Sequence, residues 1–263
     1  MTAKKKTQAE QVKEAEKISQ TFTHLASDGL GGFEGITNEI IAFPFIRILQ
    51  TLSPQLNKRK PEYIAEAETG MLYNSINNNL YAPPIEIVVG KFERYFIEWK
   101  PDRKGFAGAH LPEDIEEMLL QGKLQKNGMQ IVDPRTENTF ADTYIYYIVF
   151  PESVEDGVCL LALSSTQLKE ARRWNRLLLT TFIPGSNQRA QPYFMRWTVT
   201  TPIVSNDKGD WHGFKVDFAG FVTPEILQVV SNERKALPHK RPDLQLLEST
   251  TGEDVVDVDV SKY

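Results

Sequence analysis

The sequence predicts a strand-rich α+β fold, specifically an OB-like antiparallel barrel elaborated with helices and a long β-hairpin. Strand-like runs outnumber helical ones, a single long amphipathic helix lies between them, and strands and helices do not alternate regularly. The 263 residues are 41% hydrophobic and 25% charged, which is typical of a globular protein with a sizeable core.

The strand predictions rest on runs of β-branched and aromatic residues. The strongest run is Ile85–Lys100, in which apolar and polar residues partly alternate. A hairpin is predicted near the carboxyl end, where Tyr193–Ser205 and Trp211–Val222 flank a five-residue turn that contains glycine. The remaining predicted strands are Phe43–Gln50, Thr143–Phe150 and Val158–Ser164.

The long helix is predicted from Ser165 to about Phe182, where Pro184 and Gly185 follow and end it. Two shorter helices are expected, one capped by Leu111–Asp114 and continuing through Leu120, and one over Pro224–Ser231. The apolar stripe that recurs at helical spacing in the long helix consists of Leu168, Ala171, Trp174, Leu178 and Leu179.

The organisation we expect is a single OB-like globular domain with a terminal segment on each side. Residues 1–24 form a flexible or helical arm, residues 25–234 the domain, and residues 235–263 a basic linker with a disordered acidic tail. Without an apolar leader or a membrane-length apolar run, the expected location is the cytoplasm, with no membrane partner. Cys159 lies in an apolar run and is expected to be a buried, reduced thiol.

Charge is distributed unevenly along the chain. The formal net charge is −5, and the last 16 residues carry −4 of it, so the remainder is nearly neutral. Between Gln167 and Trp197, by contrast, six cations accompany one acidic residue. Because the local field attracts a polyanion, this stretch points to nucleic acid despite the acidic net charge.

Basic and aromatic side chains are interleaved in several stretches, as in proteins that bind single-stranded nucleic acid. Cations contact the phosphates of such a strand while aromatic faces stack on its bases. On Ile85–Lys100 both faces are mixed, so one aromatic set is core and the other faces the ligand. The predicted phosphate contacts are Lys91, Arg94, Lys100, Arg172, Arg173, Arg176 and Arg196, and the predicted stacking residues are Tyr95, Trp99, Phe194, Trp197 and Trp211.

Signals for an enzyme are few. The four histidines are scattered without ligand spacing, so we predict no metal site and no cofactor. One pattern, Glu98-Trp99-Lys100, matches half of the PD-(D/E)xK nuclease motif, and the nearest candidates for the upstream carboxylate are Glu86 and Glu93. A metal-dependent nuclease, in which carboxylates hold the metal and the lysine polarises a water, is therefore an alternative function.

The combination resembles bacteriophage single-stranded-DNA-binding proteins, in which a basic and aromatic OB-like core precedes an acidic tail with a terminal aromatic residue. The resemblance implies coating of single-stranded DNA without sequence preference during phage replication or recombination, and partner proteins that contact the tail. The matching tail residues are Glu253, Asp254, Asp257, Asp259 and Tyr263, the last standing where better-known members have Phe.

A second resemblance, to a family of phage proteins of similar size, implies viral origin more than a function. It is carried by Phe43–Gln50 with Ser53-Pro54, by Ser164–Lys169 with Arg172–Asn175, and by Thr200–Trp211. A virion or assembly protein, whose surface aromatics meet other subunits, is thus a further alternative. Self-association is expected under that alternative and is compatible with the DNA-binding function.

Overall fold

Thirteen strands and three helices make up the part of the chain that the computed structural model describes, namely residues 42–128, 130–206, 209–237 and 244. The helices are α1 (Pro112–Leu120), α2 (Leu168–Thr180) and α3 (Pro224–Ala236). The strands are β1 (Phe45–Ile48), β2 (Leu72–Asn74), β3 (Leu80–Tyr81), β4 (Ile85–Trp99), β5 (Phe106–His110), β6 (Gln125–Asn127), β7 (Gln130–Val132), β8 (Thr139–Val149), β9 (Cys159–Ser164), β10 (Met195–Thr200), β11 (Ile203–Asn206), β12 (Gly209–His212) and β13 (Lys215–Phe221).

Eleven of these strands form one curled, half-barrel sheet whose main path is β13-β10-β4-β8-β9-β1-β2-β3. The β1–β9 pair is parallel and the other pairs in this path are antiparallel. β5 pairs with β4, and β7 joins β6 to β8. The predicted strand-rich α+β class is confirmed, and the long hairpin is present as β10 with β13, extended by the β11–β12 ribbon.

The sheet is buried on both faces, as strand β8 illustrates. Tyr146 faces α2, where its ring stacks on that of Trp174 at a centroid distance of 4.3 Å. Its neighbours Ile145 and Tyr147 point the other way and pack with Val230 of α3. We call these sides the α2 face and the α3 face. Burial on both sides explains why β8 is almost continuously apolar and aromatic.

A β-bulge at Gly90 reverses the alternation of β4. The ladder to β8 shifts register between Val89 and Lys91, so Gly90 is an extra residue. Ile87 and Val89 pack on the α2 face, whereas Tyr95 packs on the α3 face although its number is also odd. The bulge therefore decides which side chains of the long strand are covered by which helix.

Several short strands and one helix end differ from the sequence predictions. β2, β3, β5, β6 and β7 lie where no strand is predicted, because pairing to neighbouring strands outweighs their weak local preference. α3 continues past Ser231 to Ala236, so the predicted linker begins inside this helix. Leu179, expected on the apolar stripe of α2, is exposed, and Leu177 packs against the core instead.

Two predicted regions fall outside the described residues. These are the arm at residues 1–24 and the acidic tail with Glu253, Asp254, Asp257, Asp259 and Tyr263. Within the described ranges, none of the helices has the length and apolar composition needed to cross a bilayer. Cys159 is buried and unpaired with another cysteine, as predicted.

Candidate nucleic-acid interface

Three of the predicted stacking residues are core residues. Tyr95, Trp99 and Trp197 are 2%, 7% and 0% exposed, respectively. Tyr95 and Trp99 face α3, and Trp197 packs edge-on against Trp174 beneath α2 at 6.0 Å. A ring without an accessible face cannot stack on a base, so these three assignments are corrected: the residues stabilise the fold.

Three predicted phosphate contacts are already engaged in ion pairs. Each lies on β4 or β10 beside a carboxylate that compensates its charge, which reduces the attraction to phosphate. Asp142 accepts two hydrogen bonds from the Arg94 guanidinium, and this raises the pKa of Arg94. The pairs are Lys91–Glu93 at 2.9 Å, Arg94–Asp142 at 2.8 Å and Arg196–Glu86 at 2.6 Å.

Arg173 caps the edge of the sheet. Its guanidinium donates to the Val216 carbonyl of β13 and is held by Glu170, with Nε 2.8 Å from Oε2 and Nη2 2.6 Å from Oε1. Glu170 Oε1 in turn accepts the Val216 backbone N–H at 2.8 Å. The two side chains thus occupy the hydrogen-bonding positions that a further strand would fill. This structural role leaves Arg173 a poor candidate for a phosphate contact.

The outward side of α2 carries the remaining cations of the basic stretch. Lys169, Arg172 and Arg176 follow one another at spacings of three and four residues and are exposed, which places them on one ridge. Within the described residues these three side chains have no hydrogen-bond or ion-pair partner. We call them the α2 ridge; it contains two of the predicted phosphate contacts, Arg172 and Arg176.

An aromatic and basic strip lies beside this ridge on β4. The strip consists of the exposed Phe92 and Arg94 and the half-buried Phe96, which share the α2 face beyond the Gly90 bulge. The Phe92 ring lies 5.1 Å from the ring of Tyr146, and the Tyr146 hydroxyl donates to Asn175 of α2 at 2.8 Å. The sequence predicts a second aromatic set on this strand that faces the ligand, but Phe92 is not among the predicted stacking residues.

The other predicted residues are dispersed. Lys100 is exposed immediately after β4, and Phe194 is half-buried, with its ring 4.8 Å from that of Tyr193. Trp211 is half-buried on β12. The backbone of the next residue, His212, is hydrogen-bonded to the Gln50 side chain: Gln50 Nε2 donates to the His212 carbonyl and Gln50 Oε1 accepts from the His212 N–H, both at 2.9 Å. The hairpin end is therefore held against the connection that follows β1.

The residues of the nuclease alternative do not come together. Glu86 and Glu98 are twelve positions apart on the same strand, roughly 40 Å at about 3.3 Å per residue, too far to share a metal ion. Glu98 instead binds Nε2 of His110 at 2.8 Å and the Asn138 amide at 2.6 Å. Within the described ranges no group of three His, Cys, Asp or Glu side chains has metal-ligand geometry.

The comparisons with known proteins identify a phage family. No curated protein and no solved structure matches the chain. A family model described as Pam3 phage gp34-like protein matches residues 9–237, which is most of the chain and includes both the sheet and the α2 ridge. The predicted phage origin is thereby supported, and the chain belongs to the Pam3 phage gp34-like family.

Proposed function

We propose that this phage protein binds and coats single-stranded DNA without sequence preference, during phage DNA replication or recombination in the host cytoplasm. The observation that carries the proposal is the α2 ridge, whose three cations are exposed and unpartnered within the described residues. Cations that no carboxylate compensates can neutralise phosphates, and the counterions released from the nucleic acid favour binding. An OB-like identity of the curled sheet belongs to the same proposal, although the ridge does not depend on it.

Under this proposal the ridge contacts only the sugar-phosphate backbone. Such contacts fix the position of a strand but do not read its sequence, which is why we propose general coating. The acidic tail residues Glu253, Asp254, Asp257, Asp259 and Tyr263 are proposed to contact replication or recombination proteins and to compete with DNA for the cations. Truncation after Leu247 should then tighten DNA binding, most clearly at low salt.

The experiment that tests the ridge is titration of a labelled oligo-dT strand by fluorescence anisotropy over a range of salt concentrations. The variant R172Q/R176Q removes two charges without reversing them. If both contact phosphates, the slope of log K against log salt becomes shallower by about 1.4, since each phosphate contact contributes about 0.7 on a single strand. The matched control is K123Q/K126Q, which also removes two exposed charges. Lys123 precedes β6 and Lys126 lies on it, and this variant should retain the wild-type slope.

Two results would contradict the proposal. One is wild-type protein that does not bind oligo-dT at low salt. The other is binding whose salt dependence is unchanged in R172Q/R176Q, because the cations that carry the proposal would then make no phosphate contact. Tighter binding on truncation of the tail is a separate outcome and bears only on the competition between tail and DNA.

A virion or assembly role is the second candidate, favoured by exposed apolar side chains. Ile203 on β11, Leu179 at the end of α2 and Phe182 just after α2 are 67%, 63% and 52% exposed. A contact with another subunit would remove this apolar surface from water, which is favourable. Sedimentation velocity without DNA tests this role: concentration-dependent self-association that I203S/L179S abolishes would support it, and a monomer at all concentrations would oppose it.

A further inference from the structure

The ring of Phe92 is partly exposed and rests against two buried tyrosines. It is 40% exposed, although it lies on β4 among core residues. Tyr144 meets it edge-on at 5.4 Å and Tyr146 at a tilt at 5.1 Å. A partly exposed ring held by two buried neighbours can meet a planar ligand without having to be ordered on binding.

Two residues further along the same face, Arg94 presents a second planar group. Its guanidinium lies 5.2 Å from the Phe96 ring centroid and 5.8 Å from that of Tyr144, and the two hydrogen bonds to Asp142 fix its orientation. Because Asp142 compensates its charge, Arg94 is poorly suited to the phosphate contact predicted from sequence. A fixed, half-exposed guanidinium plane is suited to stacking.

We infer that Phe92 and Arg94 form a stacking platform for unpaired nucleobases. Side chains two positions apart on one face of a strand are separated by about 6.6 to 6.8 Å, so each presents its own surface for a planar ring. The platform lies beside the α2 ridge, since Tyr146 contacts Phe92 and is hydrogen-bonded to Asn175. Bases on the platform and phosphates on the ridge would belong to one strand.

The inference rests on the proposed function and makes its ligand more specific. In a duplex the bases are stacked on one another and their faces are not available, whereas in a single strand they can turn outward onto protein rings. The platform therefore favours single strands over duplex DNA, which the ridge alone would not distinguish because both present phosphates. Binding at the platform also requires the bases of the strand and not only its sugar-phosphate backbone.

The test compares oligo-dT with an abasic strand of equal length, which has the same phosphates but no bases. Wild-type protein should bind oligo-dT at least about fivefold more tightly, the lower end of the effect of one stacked base. F92L keeps an apolar side chain on Tyr144 and Tyr146 and should lose most of that preference, while its abasic binding stays unchanged. R94K keeps the charge but lacks the planar guanidinium, so it should lose part of the preference for oligo-dT over the abasic strand.

F218L is the matched control. Phe218 is also an exposed ring, but it lies on β13, which β10 separates from β4 in the sheet, and its change should leave the preference intact. Thermal unfolding of F92L and R94K establishes that each variant is folded before its binding is measured. If F92L is unfolded, the effect of R94K on the preference for oligo-dT still tests the platform.

The outcomes separate the two proposals. Equal wild-type binding of oligo-dT and the abasic strand, with R172Q/R176Q still weakening both, would overturn the platform and leave the proposed function standing. Unchanged discrimination in folded F92L and R94K would overturn the platform as well. If neither strand binds at low salt, the proposed function fails and the platform fails with it.

Discussion

Replacement of Glu170 by alanine should destabilise the protein by opening the edge of the sheet. Glu170 accepts the backbone N–H of Val216, a residue with no exposed surface, and holds the Arg173 guanidinium that binds the Val216 carbonyl. Without the carboxylate, the Val216 N–H has no acceptor and the guanidinium is no longer held in place. A lost acceptor at a buried donor costs the desolvation of that donor, which no new bond offsets.

The magnitude follows from these two contributions. The unsatisfied N–H costs about 1–3 kcal/mol. The Glu170–Arg173 ion pair, whose side chains are 20% and 41% exposed, adds no more than about 1 kcal/mol, since solvent screens partly exposed pairs. We therefore expect Glu170→Ala to lower the free energy of unfolding by about 1–4 kcal/mol. Glu170→Gln keeps an oxygen acceptor for Val216 and should cost less than half as much.

Urea denaturation followed by circular dichroism measures both variants, with Glu116→Ala on the exposed side of α1 as the control. If Glu170→Ala unfolds within 0.5 kcal/mol of wild type, a difference on the order of ordinary surface substitutions, the edge cap does not contribute and the reasoning fails. A loss in Glu170→Gln equal to that in Glu170→Ala would assign the effect to the ion pair instead. Light scattering adds a second readout, since an uncapped edge should promote association between sheets.

Two further predictions concern the hairpin and the core. Gly70 has φ +84°, and a Cβ there would lie 2.7 Å from His212 Cε1. Gly122 also has a positive φ, but its surroundings are open, so Gly70→Ala should lower the unfolding free energy by roughly 1–3 kcal/mol more than Gly122→Ala. Equal losses in the two variants would refute the packing argument. Burial raises the pKa of the Cys159 thiol from 9.0 to about 12, so the unfolded chain ionises first and stability should fall as pH rises from 9 towards 12. At pH 10 the loss is about 1.4 kcal/mol in urea denaturation, and an equally steep decline in Cys159→Val, which has no thiol proton, would contradict this assignment.

The elements with strong local patterns were predictable, and those defined by their neighbours were not. Strand β4, helix α2 and the long hairpin follow from β-branched runs, an apolar stripe at helical spacing and a turn containing glycine. β5 and β6 are short and polar or rich in small residues, and they are strands because β4 and β7 provide hydrogen-bonding partners. The residues of β5 and β6 themselves carry little strand preference, so the local sequence does not reveal this pairing.

The candidate site shows the same division. Sequence located the basic stretch and counted its cations, but it could not tell which of them have carboxylates nearby. Arg173, Arg176 and Arg196 look alike in sequence, yet Arg173 caps β13, Arg196 pairs with Glu86, and Arg176 is exposed on the α2 ridge. Pairing with a residue 110 positions away, as for Arg196, is set only when the strands align.

The sequence by itself determined that Ile85–Lys100 is a strand with two sets of side chains, because alternation along an extended chain is a local property. Only the tertiary structure decided which set is buried. Tyr95 and Trp99 lie on the α3 face and are buried, whereas Phe92 and Arg94 lie on the opposite face and remain accessible. The physical reason is that burial depends on which helix packs on each face of the sheet. The bulge at Gly90, which pairing with β8 fixes, sets which residues of β4 point to each face.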